Sequence, residues 1–178
     1  MILKQEIRLS KKVLLAIIPV FIAGLTYLGA IIKIYLPYTP VPVTLQTFFV
    51  LTSAVIFGKY LSLAGQSLYI LAGISGLPVF AGVHTGLSSL ISPTGGYIFG
   101  FLIASYILPS IYSHLRKRGF INLLLLFLLG HILIYIPGVV VLSFYTGLSK
   151  AFLLGVLPFL YGDFLKSLFA TLVMGRIK

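Results

Sequence analysis

The chain has 178 residues, of which 60% are hydrophobic and 8% charged, with a net charge of +11 and no cysteine. So little polar surface excludes a soluble globular domain, and the absence of thiols excludes disulfides, thiolate metal sites and cysteine nucleophiles. The basic residues gather at the ends of apolar runs rather than along one exposed face, a pattern that orients membrane spans and argues against a nucleic-acid partner.

A crossing of the hydrocarbon core takes about 20 apolar residues. The chain therefore has room for about six helices and short connections, and the expected fold is an all-α membrane protein forming one domain over residues 1–178. The first helix is expected at 13–34, with Pro19 inside it. Its apolar run is too long for a signal-peptide core, and no small-residue cleavage pattern follows, so it is expected to be retained. Ala16, Ala23 and Ala30 recur at seven-residue spacing, and Gly24 and Gly29 flank that stripe. Small residues let helices approach closely, either within the chain or against another membrane subunit.

Residues 36–44 carry Pro37, Pro40 and Pro42, which forbid a regular helix and favour a stiff, extended loop. Helices are expected at 45–57 and 60–72, both short for full crossings and separated at Gly58-Lys59. Residues 73–96 form a long Gly-, Ser- and Pro-rich segment without a lysine, arginine or acid. A loop of that length in a compact protein is more often functional than idle. The remaining helices are expected at 95–113, 120–144 and 148–175, the last interrupted at Pro158.

With the N-terminus cytoplasmic, Lys4, Arg8, Lys11, Lys12, Lys59, Arg116, Lys117, Arg118, Arg176 and Lys178 fall on the cytoplasmic side. Only Lys33 and Lys150 fall outside, an asymmetry that places both termini in the cytoplasm. It also brings the Pro-rich and Gly-rich segments together on the outer face, where they can fold over a cavity between helices.

Asp163 and Lys166 stand three residues apart on the last helix and so share a face. Each costs about 2.5–3.5 kcal/mol at the centre of a span, and an apolar residue would pack as well without that cost. A solute site or a proton or ion relay would account for them; a mutually neutralised structural pair is the competing explanation. Asp163 is the only acid apart from Glu6, which argues against a cation channel or a carboxylate relay. One acceptor beside one donor suits a neutral ligand head with both N–H and C=O groups, or a zwitterion. His84, His114 and His131 are scattered over a loop, a helix end and mid-helix, and no HExxH, GxSxG or carboxylate cluster occurs, so no catalytic or metal-binding residues are assigned. His131 reads as a core residue hydrogen-bonded to a neighbouring helix.

Three stretches carry a resemblance. Pro37-Tyr38-Thr39-Pro40-Val41-Pro42-Val43-Thr44-Leu45-Gln46-Thr47-Phe48-Phe49 resembles the loop-to-second-helix signature of the BioY family, the biotin-binding S components of energy-coupling-factor (ECF) transporters. Gly76-Leu77-Pro78-Val79-Phe80-Ala81-Gly82 and Ser92-Pro93-Thr94-Gly95-Gly96-Tyr97-Ile98-Phe99-Gly100-Phe101 look like its second signature, and Asp163-Phe164-Leu165-Lys166 is similar to its Asp-x-x-Lys.

The resemblance implies six helices in the plasma membrane and an outward-opening biotin site. It further implies uptake energised by a separate transmembrane coupling subunit and two cytoplasmic ATPases. The chain has no GxxxxGK[ST] phosphate loop, so ATP would be used by partners and no cofactor is expected here. It implies that Asp163 accepts from a ureido N–H, and that Lys166 donates to the ureido oxygen or to the ligand carboxylate. Thr44 and Gln46 are expected to add polar contacts, with Tyr38, Phe80, Ala81, Gly82 and Tyr97 walling the site. The family's first helix often docks through Ala-x-x-x-Ala; here Ala16, Val20 and Gly24 stand at that spacing, with Ala23 and Ala30 on the same small stripe. An S component for another vitamin is the alternative, and a membrane protein with a stabilising ion pair is the third reading.

Overall fold

The computed structural model describes the backbone of residues 2–82 and 86–176, with side chains from residue 13 onward within those ranges. His84 and Lys178, and the side chains of Lys4, Arg8, Lys11 and Lys12, lie outside the described residues.

The fold is helical. Helix α1 covers Ile2–Ile31 and runs through Pro19 without ending. It stops three residues short of the expected boundary because Lys33–Ile34 leaves the helix as strand β1 and pairs antiparallel with Val43–Thr44, strand β2. The three prolines therefore sit in or beside a hairpin tip, where missing N–H groups cost no ladder bond. Helices α2 (Gln46–Phe57) and α3 (Lys59–Ile74) follow, divided at Gly58, whose φ of 78° is open to glycine at little cost.

A 3-10 turn at Gly86–Ser89 leads to α4 (Gly95–His114), and α5 covers Phe120–Thr146. The expected last helix is two helices, α6 (Leu148–Gly155) and α7 (Leu160–Arg176), joined through a 3-10 turn at Leu157–Phe159. Pro158 sits in that turn, so the break falls where the missing N–H predicts it. Among the described residues, four segments are long and apolar enough to cross a membrane: Val13–Ile31, Gly95–His114, Phe120–Thr146 and Leu148–Arg176. Gln46–Phe57 is apolar but shorter.

Helices α4 and α5 pack against each other most closely, and glycines make that possible. A Cβ on Gly96 would collide with the Pro137 carbonyl, and one on Gly100 would lie 2.7 Å from Ile134 Cα. This pair, four residues apart on one face, is the small-xxx-small pattern used where helices meet in lipid. Further along the same face of α5, Gly130 makes room for Leu51 of α2 and Leu108 of α4. The core beneath the site is continuous, with Leu51, Phe101, Leu108, Phe127, Ile134 and Leu142 all buried.

The small residues of α1 do not share one environment. Ala16, Val20 and Gly24 are exposed, and nothing lies within 4 Å of a Cβ placed on Gly24. Ala23 is half-buried and packs on the core. Ala30, expected on the same docking stripe, is only 3% exposed and faces the interior. A stripe repeating every seven residues drifts around a straight 3.6-residue helix, which takes Ala30 off the exposed face.

Candidate functional site

One cavity brings together the two loops and the broken last helix. Its free space, including the open mouth, is about 610 Å³. The hairpin contributes Val41, Pro42 and Thr44, and the start of α2 contributes Gln46 and Thr47. Phe80, Ala81, Gly82 and Thr94 come from the Gly-rich segment, and Tyr97 and Phe101 from α4. Tyr135 of α5, Phe159 of the 3-10 turn and Asp163 and Lys166 of α7 close the far side. Eight of the nine residues expected at the site meet here. Tyr38 does not: it sits at the hairpin tip, 58% exposed and off the cavity wall.

The Pro158 break sets the chemistry. It starts α7 at Leu160 and so places Asp163 in the first turn, where the helix dipole favours a negative charge. Asp163 is 4% exposed. Lys166, one turn on, donates to Asp163 Oδ1 at 2.6 Å and to Thr47 Oγ1 at 3.2 Å. Thr47 in turn reaches Asp163 Oδ1 at 3.5 Å, and the Tyr135 hydroxyl donates to Asp163 Oδ2.

An ionised carboxylate offers about four lone-pair positions, and an ammonium carries three N–H groups. Lys166, Thr47 and Tyr135 take three of those positions, and Asp163 and Thr47 occupy two of the N–H groups. One acceptor position and one donor are left for whatever enters the cavity.

Behind the carboxylate, Ser167 Oγ donates to the Asp163 carbonyl at 2.8 Å and lies 3.2 Å from His131 Nδ1. His131 Nδ1 is 3.0 Å from the Phe127 carbonyl one turn earlier in α5. The expected tie between His131 and a neighbouring helix is thus the one to Ser167.

The other wall is held from the loops. Gln46 Nε2 donates to Tyr69 Oη at 2.7 Å, and the Tyr69 hydroxyl donates to the Val79 carbonyl at 2.9 Å. This chain fixes the base of the Gly-rich segment, and the Tyr69 ring packs edge-on against Phe80 at 5.5 Å. Lys33 Nζ and Tyr35 Oη both donate to the Ala81 carbonyl, at 3.2 and 2.9 Å, which ties the hairpin across to that segment. Thr39 donates to the Leu154 carbonyl at 2.8 Å, and Tyr97 to the Gly155 carbonyl at 2.8 Å, so α6 is anchored from both sides. Thr44 Oγ1 accepts from the Gln46 N–H at 3.3 Å, satisfying an otherwise free donor at the start of α2.

Sequence reading missed Thr47, Tyr69, Tyr135, Phe101 and Phe159. Tyr135 had a signal available: it stands four residues after His131, so both polar groups of the fifth span share a face. Tyr69 had none, since a lone tyrosine in an apolar helix reads as packing or interface anchoring.

Residues 4–178 match the BioY family. The "Biotin transporter BioY" of Thermotoga maritima is 39% identical over 156 residues, which cover 87% of this chain and 90% of that protein. The "Probable biotin transporter BioY" of Pyrococcus horikoshii is 37% identical over 163 residues, covering 92% and 94%. The fold is also that of a crystal structure described as the S-component for biotin from an ECF-type ABC transporter. There the TM-score is 0.83 at 22% identity, with 94% of this chain and 92% of that one covered. The sequence match across nearly the whole chain leads to one conclusion: this chain belongs to the BioY family.

Proposed function

We propose that this chain is a biotin-capture subunit: a multi-pass protein of the plasma membrane that binds biotin from outside for uptake energised by partners. The observation that carries this reading is the Asp163–Lys166 pair at the wall of a cavity otherwise lined mainly by apolar and aromatic groups, in a chain whose relatives are named for biotin transport. Biotin has a ureido head with two N–H donors and one carbonyl, an apolar thioether ring, and a carboxylate on an aliphatic chain. The acceptor position left on Asp163 suits a ureido N–H. The free N–H of Lys166 suits the ureido oxygen or the carboxylate. Phe80, Phe101, Tyr97 and Phe159 provide apolar area for the ring and chain, with Gln46 and Thr44 as polar neighbours.

In this reading both termini are cytoplasmic, about six helices cross or partly cross the membrane, and the hairpin and Gly-rich segment cap the site from outside. Alternating access is driven by an ECF transmembrane coupling subunit and two cytoplasmic ATPases. That subunit docks on the exposed Ala16, Val20 and Gly24 face of α1. The chain acts by binding, not by catalysis.

Isothermal titration of the detergent-purified chain with biotin tests the reading, alongside a thermal-shift panel of other vitamins. Saturable heat and stabilisation with biotin alone are expected. No response to biotin at micromolar concentration, or a larger response to a different vitamin, overturns it.

A further inference from the structure

His131 is 3% exposed, and its Nε2 has no hydrogen-bond partner. Its Nδ1 neighbours settle which nitrogen carries the proton of the neutral ring. The Phe127 carbonyl at 3.0 Å can only accept, and Ser167 Oγ at 3.2 Å has already given its own proton to the Asp163 carbonyl at 2.8 Å. Nδ1 is therefore the N–H, and Nε2 presents a bare lone pair. That lone pair faces Asp163 Oδ1 at 3.6 Å, so two acceptors oppose each other in a buried place with no hydrogen between them. A proton on Nε2 converts this contact into a charge-assisted hydrogen bond and satisfies the orphaned nitrogen.

The charges facing the ring show when that proton is wanted. On α7 they are Asp163 and Lys166, which cancel each other. Tyr135 stands one turn along α5, with its ring 6.4 Å from the imidazole, and its hydroxyl is engaged by Asp163. Tyr97 of α4 lines the same cavity and is engaged by Gly155. Helix α2 brings Thr47 and no titratable side chain. Lys33 of the hairpin stands at the cavity rim through the Ala81 carbonyl and is exposed to solvent. With neutral His131 the buried cluster has no net charge, so a carboxylate brought beside that cluster leaves one uncompensated negative charge in a low-dielectric site.

We propose that His131 is a positioning residue that takes up one proton at Nε2 when a monoanionic ligand enters, bridging to Asp163 Oδ1 in place of the long 3.5 Å contact from Thr47 and making the occupied site electroneutral. The proton comes from solvent and adds to the imidazole, forming an N–H and breaking no other bond in the protein. The proposal rests on the reading that the ligand is biotin in its carboxylate form. It adds that capture is proton-linked and that the ligand's carboxylate is what demands the proton.

Titration calorimetry of the full chain in buffers of different ionisation enthalpy counts protons taken up per ligand. Biotin is expected to bring in about one proton near pH 8, with affinity falling about tenfold per pH unit around that pH. Biotin amide, uncharged at the far end of its chain, is expected to bind with almost no uptake. His131→Asn keeps an N–H towards Phe127 but has nothing at the Nε2 position, and its biotin affinity is expected to be flat with pH. Biotin binding with no proton uptake overturns the proposal, as does equal uptake with biotin and its amide, or an unchanged pH slope in His131→Asn. Should that variant fail to fold, the two ligands compared on the wild-type chain decide the matter alone. Absence of heat with either ligand instead removes the biotin reading, and this proposal with it.

Discussion

A double-mutant cycle on Asp163 and Lys166 separates what the ion pair does for the fold from what it does for a ligand. Asp163 is 4% exposed, and its Oδ1 lies 2.6 Å from Lys166 Nζ. Lys166→Met keeps the length of the side chain and removes its charge, leaving a buried carboxylate held by two hydroxyls. Breaking a buried pair from one side costs about 3–5 kcal/mol, most of it the uncompensated charge that remains. Asp163→Asn strands the ammonium instead, but Lys166 is closer to the cavity opening, with 12% of its side chain exposed. The expected loss there is smaller, about 2–3 kcal/mol, because the head can be hydrated and an amide oxygen still accepts.

The double variant leaves neither charge buried and is expected to be about 2 kcal/mol more stable than Lys166→Met alone. The coupling read from the cycle is then about 4–5 kcal/mol. Thermal unfolding in detergent gives the three stabilities, and titration with biotin gives the affinities. Stability should be partly restored in the double variant while affinity is not, since each lost charge-assisted contact to the ligand is worth about 1.5–3 kcal/mol, roughly 10- to 150-fold. Additive single effects within about 0.5 kcal/mol would refute the claim that the two charges depend on each other. Affinity recovering together with stability would refute their direct role towards the ligand.

Tyr135→Phe removes the hydroxyl that holds Asp163 Oδ2 and should lower biotin affinity about tenfold with little change in unfolding temperature, as checked by the same two measurements. Gly100→Leu drives a side chain into the α5 backbone at Ile134 and should destabilise the chain by about 2 kcal/mol or more, despite leucine's better helix propensity. Gly24→Leu fills open space, so unfolding should be unchanged, whereas co-purification with the coupling subunit should be lost; intact assembly would move the docking face elsewhere on the chain. Tyr35→Phe removes one of two donors to the Ala81 carbonyl and should speed ligand release several-fold in stopped-flow displacement without altering the association rate.

Much of the site was legible because its parts break local rules. A charged pair in an apolar helix, prolines between two helices and a long glycine-rich segment are each costly in a membrane, and each turned up at the cavity. Tyr38 shared a motif with true lining residues but not their location, since a hairpin tip points its side chain away from the structure it caps. Ala30 shared a stripe with Ala16 but not its exposure, since seven-residue spacing does not stay on one face of a straight helix. Gly96 and Gly100 are where α4 and α5 meet, a role that a chain rich in glycine does not mark out from its other small residues.

Composition, charge placement and proline positions alone determined that this is a helical membrane protein and, apart from the start of α1 at Ile2 rather than residue 13, where its helices begin and end to within a few residues; they also singled out the one acid–base pair within an apolar helix. Those properties depend on the sign and size of single-residue transfer and backbone costs, which each residue carries with it. Only the tertiary structure decided that Thr47, Tyr135 and His131, from two other helices, surround Asp163, and that Tyr69 braces the opposite wall through Gln46. Such contacts join residues more than twenty, and up to 116, positions apart. They depend on how closely packed helices are rotated and offset against one another, a property of pairs of surfaces that no single segment encodes.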